Sequence, residues 1–449
     1  MNLKISLIGA GSGAFSLALI RDLCLTRSLE GCTISFMDIN EERLEGSYRL
    51  CRRYADELGV RFHFEKTTSR PESLAGADFV INTALAAGHH RLQAGWEIAR
   101  RCGYRWGGSL AVMHDEAFWI NFYQLRLFES IVQDILQICP NAWYLQVANP
   151  VLGGTTYLTR RYPQLKMVGL CHGFSGVYHV AALLGIHDRA GLTFEAPGVN
   201  HFIWLTRLFY KGADLLPRFA EWVEQEAPRY FETCGESDHM GPKPVDIYRR
   251  FGAIPIGDTA TVGGGAWGWW YHTDDETEKR WKENPARWWD GYFTGVERTA
   301  RENYRISQDP QARLTDYLKP VPSGEQMVPI IESIACDIPR TFIVNIPNRG
   351  ELVAGIPADF AVEVPALVSK RGVQGIQTGG LPPAVLALTL RDRVAPVNLE
   401  LEAYAQGRRQ WLEELVAMDP WTRSLPQARE LVHAILSMDG HEEMRRHYR

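Results

Sequence analysis

Lys4-Ile5-Ser6-Leu7-Ile8-Gly9-Ala10-Gly11-Ser12-Gly13-Ala14, running on into Phe15-Ser16-Leu17-Ala18-Leu19-Ile20, decides how the chain is read. The first five residues are an apolar run of strand length, and the last six carry apolar residues at helical spacing. Between them Gly9, Gly11 and Ala14 fit G-x-G-x-x-G/A in a strand–turn–helix setting. Gly9 permits a tight turn, Gly11 lets a pyrophosphate approach the backbone, and Ala14 allows close packing of helix on strand. Ser12 and Gly13 open the helix, whose N–H groups and dipole favour phosphate. A second strand, Thr33-Ile34-Ser35-Phe36-Met37, ends at Asp38. An acid there hydrogen-bonds a ribose 2′-hydroxyl and repels a 2′-phosphate, which favours NAD over NADP. A glycine-rich turn with no ligand is the plainer alternative.

Working outward, residues 77–83 read as a buried strand and 116–138 as a long amphipathic helix. Residues 143–148 read as a strand ending at Asn149-Pro150, and 167–170 as one ending at Cys171-His172-Gly173. Strands alternating with helices predict an α/β chain with a parallel sheet, whose ligands sit at the strand C-termini. A Rossmann domain is expected over 1–171. A mixed α/β domain is expected over 172–449, with strands near 192–210 and 341–366 and helices at 217–233, 325–335 and 383–415.

The 449 residues include 48 basic and 53 acidic side chains, so the net charge is 48 − 53 = −5. Hydrophobic residues at 45% and charged residues at 22% describe a globular protein and exclude disordered and fibrous architectures. With no long Lys/Arg run, neither a nucleic-acid nor an anionic-membrane partner is expected. No apolar stretch approaches the roughly 18 residues of a spanning helix. The apolar N-terminus passes straight into the glycine turn without a cleavage site, so it reads as a mature strand. Eight cysteines with no Cys-x-x-Cys pair fit reduced thiols in the cytoplasm.

Cys171 and His201 offer a thiolate and an imidazole to a divalent metal, although one Cys and one distant His are more often structural. The residues around them form an ordered set. It comprises Ile8-Gly9-Ala10-Gly11-Ser12, Asn149-Pro150, Cys171-His172-Gly173, Val199-Asn200-His201-Phe202-Ile203-Trp204 and Ile256-Gly257-Asp258-Thr259. It continues through Val344-Asn345-Ile346-Pro347-Asn348, Gly355-Ile356-Pro357, Val362-Glu363-Val364-Pro365 and Gly380-Leu381-Pro382. Nearly end to end, the chain resembles glycoside hydrolase family 4. The resemblance implies a two-part architecture like that of lactate and malate dehydrogenases, and a glycosidase dependent on NAD+ and Mn2+.

In the implied reaction NAD+ takes hydride from C3 of the sugar and a base removes the acidified C2 proton. The glycosidic oxygen leaves C1, water adds, and NADH returns the hydride. Cys171 and His201 carry over as metal ligands, and Asn149 and Asn200 as contacts to sugar hydroxyls. Asp258 carries over as the base at C2, with Tyr271 as the alternative and a turn-capping acid as the bland reading. His172 would contact or protonate the leaving oxygen, or simply be solvated, and Asp115 would touch the sugar.

Cys-His-Gly at 171–173 resembles the α-galacturonidase branch, whereas Cys-His-Ser or Cys-His-Glu would indicate galactosidases, glucosidases or glucuronidases. A galacturonide's carboxylate needs a cation, for which Arg91, Arg105 and Lys243 are candidates. Trp267, Trp269, Trp270, Trp281, Trp288 and Trp289 suit a core or a subunit interface, with one at the site mouth. Gly263-Gly264-Gly265 is a lid hinge or a plain loop. A homodimer or homotetramer is expected. An α-glucuronidase or α-galactosidase of the same family, a 2-hydroxy-acid dehydrogenase and a non-catalytic NAD sensor are the competing readings.

Overall fold

The computed structural model describes residues 3–264 and 267–449, with Ala14 and Gly264 described by their backbone alone. Its first strands are β1 (Lys4–Ile8), β2 (Thr33–Met37), β3 (His63–Thr67), β4 (Phe79–Asn82), β5 (Trp143–Gln146) and β6 (Met167–Gly169). There follow β7 (Leu192–Glu195), β8 (Gly198–Val199), β9 (Phe202–Leu205), β10 (Arg207–Tyr210), β11 (Ala213–Asp214) and β12 (Ile254–Pro255). The last are β13 (Arg340–Pro347), β14 (Ala361–Ser369) and β15 (Gly372–Gly375).

A 12-stranded sheet crosses the molecule in the order β12-β9-β8-β14-β13-β6-β5-β4-β1-β2-β3, with β15 on β14. From β3 to β6 the pairs are parallel, with Ile5 opposite Ile34 on one side and Phe79 on the other. Strands covered on both faces are apolar throughout rather than alternating. Accordingly Leu7, Ile34, Phe36, Val80, Ile81 and Leu145 are all fully buried. Beyond β6 the sheet turns antiparallel: Asn345 of β13 pairs with Gly169, and β14 lies along β13 from Ala361 to Val368. The Rossmann strands and those of the C-terminal part are thus one continuous sheet. β7, β10 and β11 form a separate small antiparallel sheet.

The helix Phe118–Ile138 buries Phe118, Phe122, Leu125, Phe128, Val132 and Ile135, a stripe at three- and four-residue spacing. Two expected helices are interrupted. The stretch 217–233 is two helices, Leu216–Gln225 and Ala227–Thr233, the second opening with Pro228, which has no N–H to continue the first. The stretch 383–415 ends its first part at Gly407, which takes the left-handed φ of 65°, and restarts as Arg409–Ala417. Within that first part, Leu390–Val394 widens to a π turn just before Pro396. Pro396 cannot donate to the Asp392 carbonyl, and the Arg393 guanidinium donates there instead, at 3.1 Å. A further helix, Pro285–Gln308, is rich in aromatic residues and lies outside the helices expected from the sequence. No described helix is long and apolar enough to cross a membrane.

Candidate functional site

The turn after β1 is drawn against the end of β2: Gly9 and Ala10 both donate to the Met37 carbonyl, at 2.9 and 3.0 Å. Gly9 sits at φ 88°, and a Cβ there would lie 2.7 Å from the Ala84 nitrogen. A Cβ on Gly11 would lie 2.7 Å from Asp38 Oδ2, the atom that accepts the Gly11 N–H at 2.8 Å. Asp38 Oδ1 accepts from Asn40 N. The helix Gly13–Leu25 starts after an exposed Ser12 whose side chain caps nothing, so its first N–H groups meet no side-chain acceptor there. A bare helix start over glycines that admit no side chain fits a dinucleotide's phosphates, with the acid of β2 beside them.

The second centre lies where the sheet changes from parallel to antiparallel. Cys171 follows β6, His201 occupies the turn between β8 and β9, and Asp258 lies in the turn after β12. Two glycines let those turns touch backbone to backbone. A Cβ on Gly176 would sit 2.4 Å from Gly257 N, and one on Gly257, itself at φ 55°, would sit 2.2 Å from the Gly173 carbonyl oxygen. Asp258 is thereby delivered to Cys171. Ligand atoms of Cys171, His201 and Asp258 fall within 4.8 Å of one another, and those of His114, Asp115 and His201 do likewise.

His201 is 8% exposed and takes a φ of 58°, a left-handed conformation uncommon outside glycine. Its Nε2 stands 3.5 Å from Asp258 Oδ2, and its Nδ1 stands 3.0 Å from Glu116 Oε1. Burial disfavours the imidazolium, but Asp258, Cys171 and Glu116 together hold the ring well above its ordinary value. Burial pushes the Cys171 thiol up, an effect His201 partly offsets. A sulfur, an imidazole and a carboxylate on one small volume make a donor set suited to a divalent transition metal with positions left for substrate oxygens.

Asn149, whose peptide bond to Pro150 is cis, donates to Asp115 Oδ2 at 3.2 Å. Asp115 Oδ1 lies 2.9 Å from His114 Nδ1. Burial would raise the Asp115 carboxyl, but His114, His201 and Asn149 hold it below the usual carboxylate range. His172 is partly exposed, with Nδ1 3.3 Å from Glu325, which raises its affinity for the proton.

Other expected side chains are engaged elsewhere. Asn200 is fully buried and donates to Glu363 Oε2 at 2.9 Å, a contact that anchors the His201 turn. Tyr271 is fully buried, commits its hydroxyl to Asp246 at 2.7 Å and packs edge-on against Trp281. Arg91 stacks over Tyr123 at 4.5 Å, near Gly440. Arg105 pairs with Asp275 at 2.8 Å and Lys243 with Glu283 at 2.7 Å, the latter pair buried.

Of the tryptophans, Trp267 and Trp289 are core and Trp269 is 39% exposed. Gly263 is no free hinge: its carbonyl meets His114 Nε2 at 3.0 Å and a Cβ on it would meet the Trp288 ring. Gly265 lies outside the described residues.

Three residues were missed. Glu116 touches His201; its signal was adjacency to His114-Asp115. Glu363 accepts both Asn200 and Asn345, at 2.9 and 3.1 Å, and its signal was an acid inside an apolar strand. Tyr292, on Pro285–Gln308, stacks on Trp288 at 5.9 Å, and beyond burial its phenol feels the charges of Asp115, His201 and Asp258. No sequence signal marked it.

Residues 4–186 match the model of the family 4 glycosyl hydrolases, and residues 196–422 match that of the family 4 glycosyl hydrolase C-terminal domain. The chain belongs to this family, and it is an enzyme of the glycoside hydrolase class. An α-glucosidase of Erwinia rhapontici is 29% identical, with 97% of this chain and 98% of that protein covered. An α-galacturonidase of Thermoanaerobacter italicus is 25% identical, with 94% of this chain and 93% of that protein covered. The structure of a 6-phospho-α-glucosidase from gut microorganisms, in complex with NAD and Mn2+, superposes with a TM-score of 0.78 at 20% identity. It covers 97% of this chain and 98% of its own.

Proposed function

We propose that the enzyme is an NAD+- and Mn2+-dependent α-galacturonidase that cleaves short pectic oligogalacturonates. The reading is carried by the convergence of Cys171, His201 and Asp258 within 4.8 Å. It is supported by the Cys-His-Gly run at 171–173 and by the α-galacturonidase relative. When bound, NAD+ supplies reversible hydride acceptance at the sugar's C3 and Mn2+ supplies polarisation of its C2 and C3 oxygens.

The chain's own residues do the rest. Gly9, Gly11, Ser12, Gly13 and the Ala14 backbone cradle the pyrophosphate, and Asp38 takes the ribose. Cys171 and His201 hold the metal. Asp258 receives the C2 proton, Asp115 with Asn149 orients sugar hydroxyls, and His172, partly exposed and raised by Glu325, donates to the leaving oxygen. The enzyme would work in a reducing cytoplasm, where its eight free cysteines remain thiols, as a homodimer or homotetramer.

A second reading, an α-glucosidase of the same chemistry, is favoured by one observation. Arg91, Arg105 and Lys243 each already have a protein partner, so none is left waiting for a C6 carboxylate. The deciding assay incubates digalacturonate or an α-glucoside with reductant, in all four combinations of NAD+ and Mn2+, while NADH absorbance is followed. Galacturonate release only with both cofactors, and without net NADH, is the expected outcome. Cleavage of the glucoside alone would select the second reading, and accumulating NADH would sink both.

A further inference from the structure

Glu116 is 3% exposed, and a carboxylate that deep is retained only where donors or opposite charge meet it. Its backbone is held on both sides, since Glu116 N donates to His114 Nδ1 at 3.2 Å and Asn121 Nδ2 donates to the Glu116 carbonyl at 2.8 Å. Its carboxylate Oε1 faces His201 Nδ1 at 3.0 Å, and the far ring nitrogen, Nε2, faces Asp258 at 3.5 Å. Arg393, 1% exposed, sets its guanidinium 4.7 Å over the ring of Phe202, the residue next to His201. Glu116 is among the charges that act on Arg393. The π turn Leu390–Val394 and the Asp392 carbonyl hold that guanidinium inward.

We propose that Glu116 is a positioning residue for His201: its carboxylate accepts the Nδ1 proton and so presents Nε2, unprotonated, to the divalent cation. An imidazole has two tautomers, and only the one with its proton on Nδ1 leaves Nε2 free to bind a metal. The φ of 58° at His201 aims the ring, and Glu116 settles which edge carries the proton. The inference rests on the reading that Cys171 and His201 hold the cation.

Two measurements test it. In the first, Mn2+ is titrated into the NAD+-loaded enzyme and free Mn2+ is read by its paramagnetic resonance signal, for wild type, Glu116→Gln and Glu116→Ala. The expected result is Mn2+ affinity weakened about 10–100-fold in Glu116→Ala. Glu116→Gln, whose amide oxygen still accepts the Nδ1 proton, should lie between, and NAD+ affinity should be unchanged in all three. Equal Mn2+ affinity in the three proteins overturns the role of Glu116. A wild type that takes up no Mn2+ overturns the metal reading beneath it. The second measurement needs no variant: nitrogen-15 spectra of histidine-labelled wild type with diamagnetic Zn2+ should show His201 protonated at Nδ1. A proton on Nε2 would refute the proposal even if the variants did not fold.

Discussion

The turn at Gly9–Gly13 and the cluster around His201 are both built at strand ends, yet by opposite means. The first is made of backbone: missing Cβ atoms, a helix start without a side-chain cap and one acid, all within 38 residues of chain. The second is made of side chains drawn from Asp115, Glu116, Cys171, His201, Asp258 and Glu363, of which Glu116, His201 and Glu363 are buried and the other three partly exposed. A backbone cradle tolerates a change of side chain wherever no Cβ intrudes. A buried side-chain cluster tolerates little, because each member left without its partner is a desolvated polar group.

The largest expected loss tests the second region. His201→Ala should lower kcat by at least about 10³-fold, since a bound metal is worth several kcal/mol to the transition state. Retention of activity within tenfold would mean that the cluster is not the reaction centre. Gly257→Ala should follow, because it meets both a left-handed φ and the Gly173 carbonyl at 2.2 Å. A loss of about 1–3 kcal/mol in denaturant stability is expected, together with a fall in kcat as Asp258 is displaced. Unchanged kcat would show that the contact of the two turns does not place Asp258.

For the first region, Gly11→Ala should weaken NAD+ about tenfold, in keeping with a Cβ 2.7 Å from Asp38 Oδ2 and one lost close approach. Tm without cofactor should barely move, and a large drop in it would make Gly11 a folding residue instead. Gly173→Ser sharpens the contrast. A Cβ there has only ordinary neighbours, Asp258 Oδ2 at 3.7 Å and Cys171 Sγ at 3.9 Å, so the variant should fold. Its ratio of galacturonide to galactoside turnover should shift about tenfold, the scale of one altered contact in a substrate pocket. An unchanged ratio would remove the substrate argument from the 171–173 run.

The smallest effect concerns Glu400, which donates nothing to the chemistry. Burial raises its carboxyl from 4.5 to about 8, so the folded protein keeps a proton that the unfolded chain releases. Wild-type stability should therefore decline as pH rises from about 5 through 8, and Glu400→Gln should flatten that decline. Parallel Tm curves for the two proteins between pH 6 and 9 would argue that Glu400 is ionised in the fold.

The same contrast explains what could be read in advance. Gly9, Gly11 and Asp38 announce themselves because their chemistry is local and their spacing is short. Cys171 and His201 were found through an ordered set of motifs, but what each neighbour does was not. Asn200 sits one residue from His201 and turns the other way, to Glu363. Arg91 follows two histidines near a strand end, yet stacks on Tyr123 because the C-terminal residues near Gly440 close over it. Glu116 and Tyr292 reach the site from a loop and a helix far apart in sequence. The packing of Pro285–Gln308 against the helices Gly13–Leu25 and Glu41–Glu57 and the turn Val262–Gly264 brings Tyr292 into the field of Asp258.

The meeting of β6 with β13 also has a consequence for how the chain is made. While the ribosome has delivered only the first 171 residues, the nucleotide half ends in an open strand whose N–H and C=O groups have no neighbour. That edge waits for Asn345 to pair with Gly169, some 176 residues later in synthesis. Until then the nascent molecule carries an adhesive flank, and a cell making this enzyme has reason to keep a chaperone on it. Cutting the gene at that point would yield a fragment more inclined to find strands on its neighbours than to stand alone.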